Sequence, residues 1–177
     1  TGASGSLGKE LIPFFEESGH TVLRISSNIT SNGKDIFSFT ELIENSINKP
    51  VDILIHLASH NSDMLQYQIA PEVKLTEQVL NALKGLNCKK LIFFSSAKVY
   101  GDNSYEFKTF NELSPLEPNC PYGEAKKRSE RLILSSANEL GINSIILRLP
   151  PVLNWSASSN FTKLMQFSRS NSCIPSF

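Results

Sequence analysis

Apolar positions along the chain follow two periods, and the switches between them divide it into elements. From Ser6 to Ser18, Leu7, Leu11, Ile12, Phe14 and Phe15 recur at helical spacing, and Gly19 stands where a helix-ending glycine belongs. Thr21 to Ile25 reads as a short strand, and Asn28 to Lys34 as a turn-rich link. Ile36 to Ile47 reads as an amphipathic helix that Pro50 closes off. Val51 to Leu57 is a run of β-branched and leucine residues typical of a buried strand. Met64 to Leu86 is helical with an interruption at Pro71, and Lys90 to Ser95 forms the next strand. After a long loop from Tyr100 to Pro118 comes a strong helix, Tyr122 to Leu140, ended by Gly141. Ser144 to Leu149 predicts a further strand and Phe161 to Arg169 a last short helix.

Strands alternating with helices imply βαβ units and a parallel sheet. In open sheets of this kind ligands bind beyond the C-terminal ends of the strands, so residues with chemistry should follow strands. The length of 177 residues suits one domain. Seventeen basic residues balance seventeen acidic ones, which leaves no electrostatic footprint for nucleic acid or an anionic membrane. No apolar run approaches the ~18 residues of a membrane span, and the first residues do not form a signal peptide. Cys88, Cys120 and Cys173 are widely spaced and odd in number. They make neither a disulfide framework nor a zinc pattern, and a reducing cytoplasm is expected. The glycosylation-type strings at Asn28, Asn154 and Asn160 read as chance in a chain rich in Asn and Ser.

Four stretches carry candidate chemistry. Thr1-Gly-Ala-Ser-Gly-Ser-Leu-Gly8 places Gly2, Gly5 and Gly8 at a helix entry. Free N–H groups and the positive end of the helix dipole there can receive a pyrophosphate, although a plain glycine turn would read the same way. Tyr122 and Lys126 share a helix face at i and i+4, a spacing that chance also produces. A neighbouring ammonium would favour the phenolate and lower the tyrosine pKa. Ser95 and Ser96 end a strand, where a ligand would sit or where they simply cap the turn. His56-Leu-Ala-Ser-His60 ends the strand before, with His56 in the strand pattern as a core histidine and small residues after it.

In this order and spacing, the four stretches resemble an extended short-chain dehydrogenase/reductase of the NAD-dependent epimerase/dehydratase group that acts on nucleotide sugars. The resemblance runs over essentially all 177 residues. It implies a Rossmann-like doubly wound parallel sheet and an NAD or NADP cofactor. Gly2, Gly5, Ser6, Leu7 and Gly8 match the cofactor loop, and Asp35-Ile36 the pair whose carboxylate binds adenine. Leu57, Ala58 and Ser59 match the segment that packs on the cofactor. Ser96, Tyr122 and Lys126 match the catalytic triad, and Glu130 a recurrent Glu one turn on. Leu147 to Ser156 with Asn160-Phe161 is similar to a segment of bacterial surface-polysaccharide members, which implies that Asn160 contacts the substrate diphosphate.

Departures from the pattern shape the expectations. Ser26 stands where NAD-preferring relatives carry an acid, so Arg24 would serve a 2′-phosphate only if it faced the site. The Asn usual on the fourth helix is missing near Pro71-Glu72, and Leu153-Asn154-Trp155 replaces a Tyr-Gly-Pro. Ala97-Lys98 follows Ser96 where dehydratases carry Asp-Glu, which disfavours dehydration. The implied activity is NAD-dependent 4-epimerisation of a UDP-hexose or UDP-N-acetylhexosamine in surface polysaccharide synthesis, with no metal. The alternatives are an NAD(P)H-dependent 4-keto-sugar reductase and a non-catalytic NAD(P)-sensing protein. A nucleotide-sugar substrate, a homodimer and a cytoplasmic location are the expected context. The chain opens inside a motif, so residues 1–177 are expected to be one NAD(P)-binding domain within a longer protein. It would lack the first strand and the C-terminal substrate region, and the strand ahead of Thr1 would lie between those at Thr21–Ile25 and Val51–Leu57.

Overall fold

The structure is a computed structural model that describes residues 1–27, 35–60, 64–102 and 109–152. Helix α1 (Ser6–Glu17) leads into strand β1 (Arg24–Ser26), then strand β2 (Ile36–Ser38), helix α2 (Phe39–Ile43) and strand β3 (Ile53–His56). Helix α3 (Ile69–Gly85), strand β4 (Lys90–Ser96), helix α4 (Pro121–Leu140) and strand β5 (Asn143–Leu149) complete it, with 3₁₀ turns at Gln66–Gln68 and Ala97–Tyr100. All pairings are parallel, in two sheets: β1 with β2, and β3-β4-β5 with β4 central. This is the Rossmann-like α/β arrangement that the alternation of periods predicts.

The burial pattern of β4 shows why the central strand forms. Leu91, Phe93 and Ser95 are buried while the residues between them are more open, the period of two expected of a strand. On the buried face Leu54, Leu91 and Phe93 pack with Val79 and Leu83 of α3 and Ile133 of α4. Helix α4 begins on Pro121 and ends at Gly141, whose φ of 60° puts it in the left-handed region.

Three boundaries differ from the sequence reading. The segment Ile36–Ile47 is not one helix. Ser38 and Glu41 form a capping box that starts α2 at Phe39, which frees Ile36–Ser38 to pair with β1. Of the expected Thr21–Ile25 strand only Arg24 and Ile25 pair, joined by Ser26, because β2 offers just three partners. Pro71 does not interrupt α3. It lies in the first turn, where its missing N–H has no intrahelical partner to lose. The expected helix at Phe161–Arg169 lies outside the described residues.

Between the two sheets runs a cleft of about 530 Å³, lined by Leu11, Ile12 and Phe15 of α1, Ile25 of β1, and Ile53 and Ile55 of β3. Thr1–Ala3 closes one end of it. The Ala3 N–H donates to the Ile25 carbonyl at 3.1 Å, the Leu57 N–H to the Thr1 carbonyl at 3.1 Å, and the Thr1 amine to the Ile55 carbonyl at 2.5 Å.

Candidate active site

The C-terminal ends of β1, β3 and β4 converge on one edge of the molecule. At the first of these, Gly2 turns the chain with a φ of 80°, and a Cβ there would lie 2.6 Å from the Ala58 nitrogen. Only glycine permits both the backbone angle and the approach to the Leu57–Ala58 backbone. Gly5 is the N-cap of α1, and no side chain caps that helix. Its amino end, at Gly5, Ser6, Leu7 and Gly8, thus presents backbone N–H groups and the positive end of the helix dipole, the features that anions meet at helix ends. The Ser4 hydroxyl lies 2.7 Å from that of Ser26 at the end of β1, joining the loop to the second strand.

Ser96 ends β4 and caps the 3₁₀ turn after it, its Oγ accepting from the Lys98 N–H at 3.3 Å. The start of α4 packs against this turn. Gly123 makes that possible, since a Cβ there would lie 2.4 Å from the Lys98 carbonyl oxygen. Tyr122 is thereby seated over Met64, Ile69 and Ala125. The Lys98 Nζ lies 5.8 Å from the centre of its ring, and the Lys126 Nζ 5.6 Å. Lys126 is 1% exposed, 4.8 Å from the centre of the Phe93 ring, and ion-paired at 3.4 Å to Glu72 Oε1. A fully buried ammonium beside a phenol is a costly arrangement that a structural role seldom requires.

Protonation here is governed by burial. Desolvation pushes the Lys126 pKa down, while Glu72 and Glu130 hold it up against that. Desolvation raises the Tyr122 pKa, Ser59 lowers it by a hydrogen bond, and Glu72 and Cys120 add to the rise. This corrects the expectation that Lys126 leaves Tyr122 with a depressed pKa. The Lys126 charge is directed at Glu72, and the phenol of the chain by itself is protonated at neutral pH. Burial also raises the Glu72 carboxyl, but Lys126, Ser59 and His60 outweigh it and the net shift is downward. His56 is held neutral by burial first and by the Lys126 charge in addition. It hydrogen-bonds Thr1 Oγ1 at 2.8 Å and stacks against Phe93, the core role its place in the strand suggests.

One turn beyond Lys126, Glu130 sits in a second buried network. It accepts from Ser95 Oγ at 2.5 Å and from Arg148 through Nε at 3.1 Å and Nη2 at 2.8 Å. Arg148 Nη1 donates in turn to the Tyr100 hydroxyl at 3.0 Å. The guanidinium pKa is raised by Glu130. Ser95, adjacent to the candidate catalytic Ser96, is therefore a structural residue that locks β4 to α4.

Other expected site residues fall where the structure turns them. Asp35 and Ile36 stand at the start of β2, and the Asp35 carboxylate is ion-paired to Lys49. Arg24 is committed to Glu16 of α1 at 2.6 Å. It is not directed at a phosphate beyond β1. Ser59 donates to Glu72 Oε1 at 2.5 Å. Asn160 and Leu153–Trp155 lie outside the described residues. Among the described residues no group of three His, Cys, Asp or Glu could hold a metal ion, and no helix is long and apolar enough to cross a membrane.

Residues 1–163 match the NAD dependent epimerase/dehydratase family. The chain belongs to that family. Within it, the chain is 31% identical over 126 residues to a dTDP-D-glucose 4,6-dehydratase of Dictyostelium discoideum, covering 62% of this chain and 29% of the relative. It is 26% identical over 164 residues to a putative UDP-glucose 4-epimerase of Methanocaldococcus jannaschii, covering 84% of this chain and 53% of the relative. The solved UDP-N-acetylglucosamine 4-epimerase of Bacillus cereus superposes with a TM-score of 0.82 at 20% identity, over 93% of this chain and 59% of that one. The chain thus spans 29% and 53% of the first two relatives.

Two residues of the site did not stand out in the sequence. Gly123 was legible only as part of the Tyr122–Lys126 spacing, although the close approach it permits is what seats the phenol. Glu72 signalled itself only as the replacement for a missing Asn. The turn at Gly2 gives a direct test. Gly2→Ala should cost roughly 1–3 kcal/mol from the backbone angle alone, with the clash at Ala58 in addition. The denaturation midpoint should fall accordingly. An unchanged midpoint would mean that the loop does not press on β3.

Proposed function

We propose that this chain is the cofactor-binding and catalytic part of a nucleotide-sugar 4-epimerase. It would act on a UDP-hexose or UDP-N-acetylhexosamine in the cytoplasm during surface-polysaccharide synthesis. The observation that carries the reading is the buried Lys126 ammonium 5.6 Å from the Tyr122 ring, beside the turn that Ser96 opens. Relatives named as UDP-sugar 4-epimerases support the substrate class. Ala97-Lys98 after Ser96 offers no acid/base pair for eliminating water, which favours epimerisation over the 4,6-dehydratase activity in another relative's name.

The residues at the glycine turn fit a dinucleotide. The uncapped amino end of α1 would take its pyrophosphate, and Leu57, Ala58 and Ser59 would flank it. Ser26 neither repels nor attracts a 2′-phosphate, and Arg24 is engaged elsewhere. NAD, when bound, supplies the acceptor and donor of the C4 hydride.

The chain's own groups do the rest. Tyr122 takes the proton from the sugar O4 as C4 is oxidised and gives it back when the ketone is reduced. Ser96 hydrogen-bonds O4. Lys126 holds the ribose on the nicotinamide side and opposes the desolvation that keeps Tyr122 protonated. Because burial raises the Tyr122 pKa, kcat/KM should climb with pH through neutrality as the phenolate fraction grows.

Three measurements test the reading. Tyr122→Phe should cut turnover by ~10²-fold or more and leave nucleotide binding intact. A variant with wild-type rate on the true substrate would sink the mechanism. Ser26→Asp should shift preference towards NAD, and affinities for NAD and NADP that move together would show that Ser26 is not at the ribose. Denaturing the purified protein and identifying the released nucleotide decides the class. Tightly held NAD supports an epimerase, and an empty site with NADPH-dependent reduction of a 4-keto sugar supports a reductase.

A further inference from the structure

Glu72 has no part in the mechanism above, yet it is 1% exposed and both of its oxygens are engaged. Oε1 accepts from Ser59 Oγ at 2.5 Å and faces Lys126 Nζ at 3.4 Å. Oε2 accepts from the His60 N–H at 3.0 Å and lies 2.8 Å from His60 Nδ1. One carboxylate therefore touches the candidate catalytic lysine directly and ties it, through Ser59 and His60, to the segment that follows β3. An acid in the first turn of a helix ordinarily sits in solvent opposite the dipole, where it needs no such partners. Pro71 and the buried Ile69 place this one inward, against α4 and the end of β3.

We propose that Glu72 is a positioning residue of this site, its carboxylate fixing the Lys126 ammonium against the end of β3 and beside Tyr122. The inference rests on the assignment of Tyr122 and Lys126 as catalytic groups, but not on which sugar they serve. The charges around the pair are few. Lys126 faces Glu72 and Glu130, and His56 from β3 lies within its field. Tyr122 faces Glu72, Cys120 and Lys98. Glu130 is paired to Arg148 and acts on Lys126 by its charge alone, so Glu72 is the carboxylate in direct contact with the ammonium. His60, with a side chain 38% exposed, connects the cluster to solvent.

The geometry separates the charge of Glu72 from its shape. Glu72→Gln keeps the shape and removes the charge. Tyr122 then loses a neighbour that raises its pKa, and Lys126 loses one that holds its ammonium, so both titrations should move to lower pH. Glu72→Asp retains the charge and should leave both titrations near wild type. The readout is an ultraviolet phenolate titration of the full chain, taken as the difference from Tyr122→Phe, with isotope-labelled lysine NMR for Lys126. Neither needs a substrate, so failure of the epimerase reading and failure of this one are separable. If Glu72→Gln does not fold, Glu72→Asn removes the same charge and is read in its place. Titrations that the neutral variants leave unmoved, or that Glu72→Asp displaces as far as they do, would overturn the proposal and leave Glu72 a structural acid.

Discussion

Among the described residues, three backbone hydrogen bonds from Thr1, Ala3 and Leu57 join the two sheets. Those bonds set the ends of β1 and β3 side by side on one edge and press the Gly2 turn onto Ala58. The amino end of α1 is thereby placed beside the C-terminal end of β3. Were the β1-β2 pair to shift against the three-stranded sheet, Ser26 and the glycine turn would move together, because Ser4 and Ser26 are bonded to each other. The amino end of α1 would then lose its register with the end of β3.

The second constraint is the cost of burying charge. Lys126, Glu72 and Glu130 are each 1% exposed in a chain of 177 residues. Desolvation of such groups costs several kcal/mol per ion, and pairing at best roughly repays it. Apolar residues of similar volume would stabilise the fold as well or better. The charges sit at the strand ends where ligands bind in sheets of this kind, and not scattered through the core. Their placement is thus better explained by chemistry than by stability.

The sequence made some of this legible and hid the rest for physical reasons. Helix α4 was plain because its apolar spacing, proline start and glycine end agree with one another. Strand β4 was plain because Leu91 to Phe94 is an unbroken apolar run of strand length between Lys90 and Ser95. The β2–α2 junction was not, since Ile36, Phe37 and Phe39 fit a helical face as well as a strand, and only the Ser38–Glu41 capping box separates the two. The triad spacing pointed to Tyr122 and Lys126, but spacing carries no information on desolvation. The direction of the Tyr122 shift was therefore missed. Glu72 was hidden because an acid in the first turn of a helix usually faces water, and its burial is a tertiary fact.

The two carboxylates that flank Lys126 have unequal tasks, and their partners show how they are divided. Glu130 is bound by Arg148 through two nitrogens, and by Ser95, in a rigid planar pairing that fixes α4 to β4 and β5. Its charge is spent on architecture. Glu72 meets single donors of smaller reach: a serine hydroxyl, a backbone N–H, an imidazole and the ammonium itself. Such a set can adjust when a proton moves, because no one contact dominates it. Placing the stiff pair below the lysine and the adaptable one beside it holds Lys126 in position along α4 while leaving its charge responsive to Tyr122. A single acid bound by arginine could not do both, since fixing the guanidinium would take away the negative charge that the buried ammonium needs.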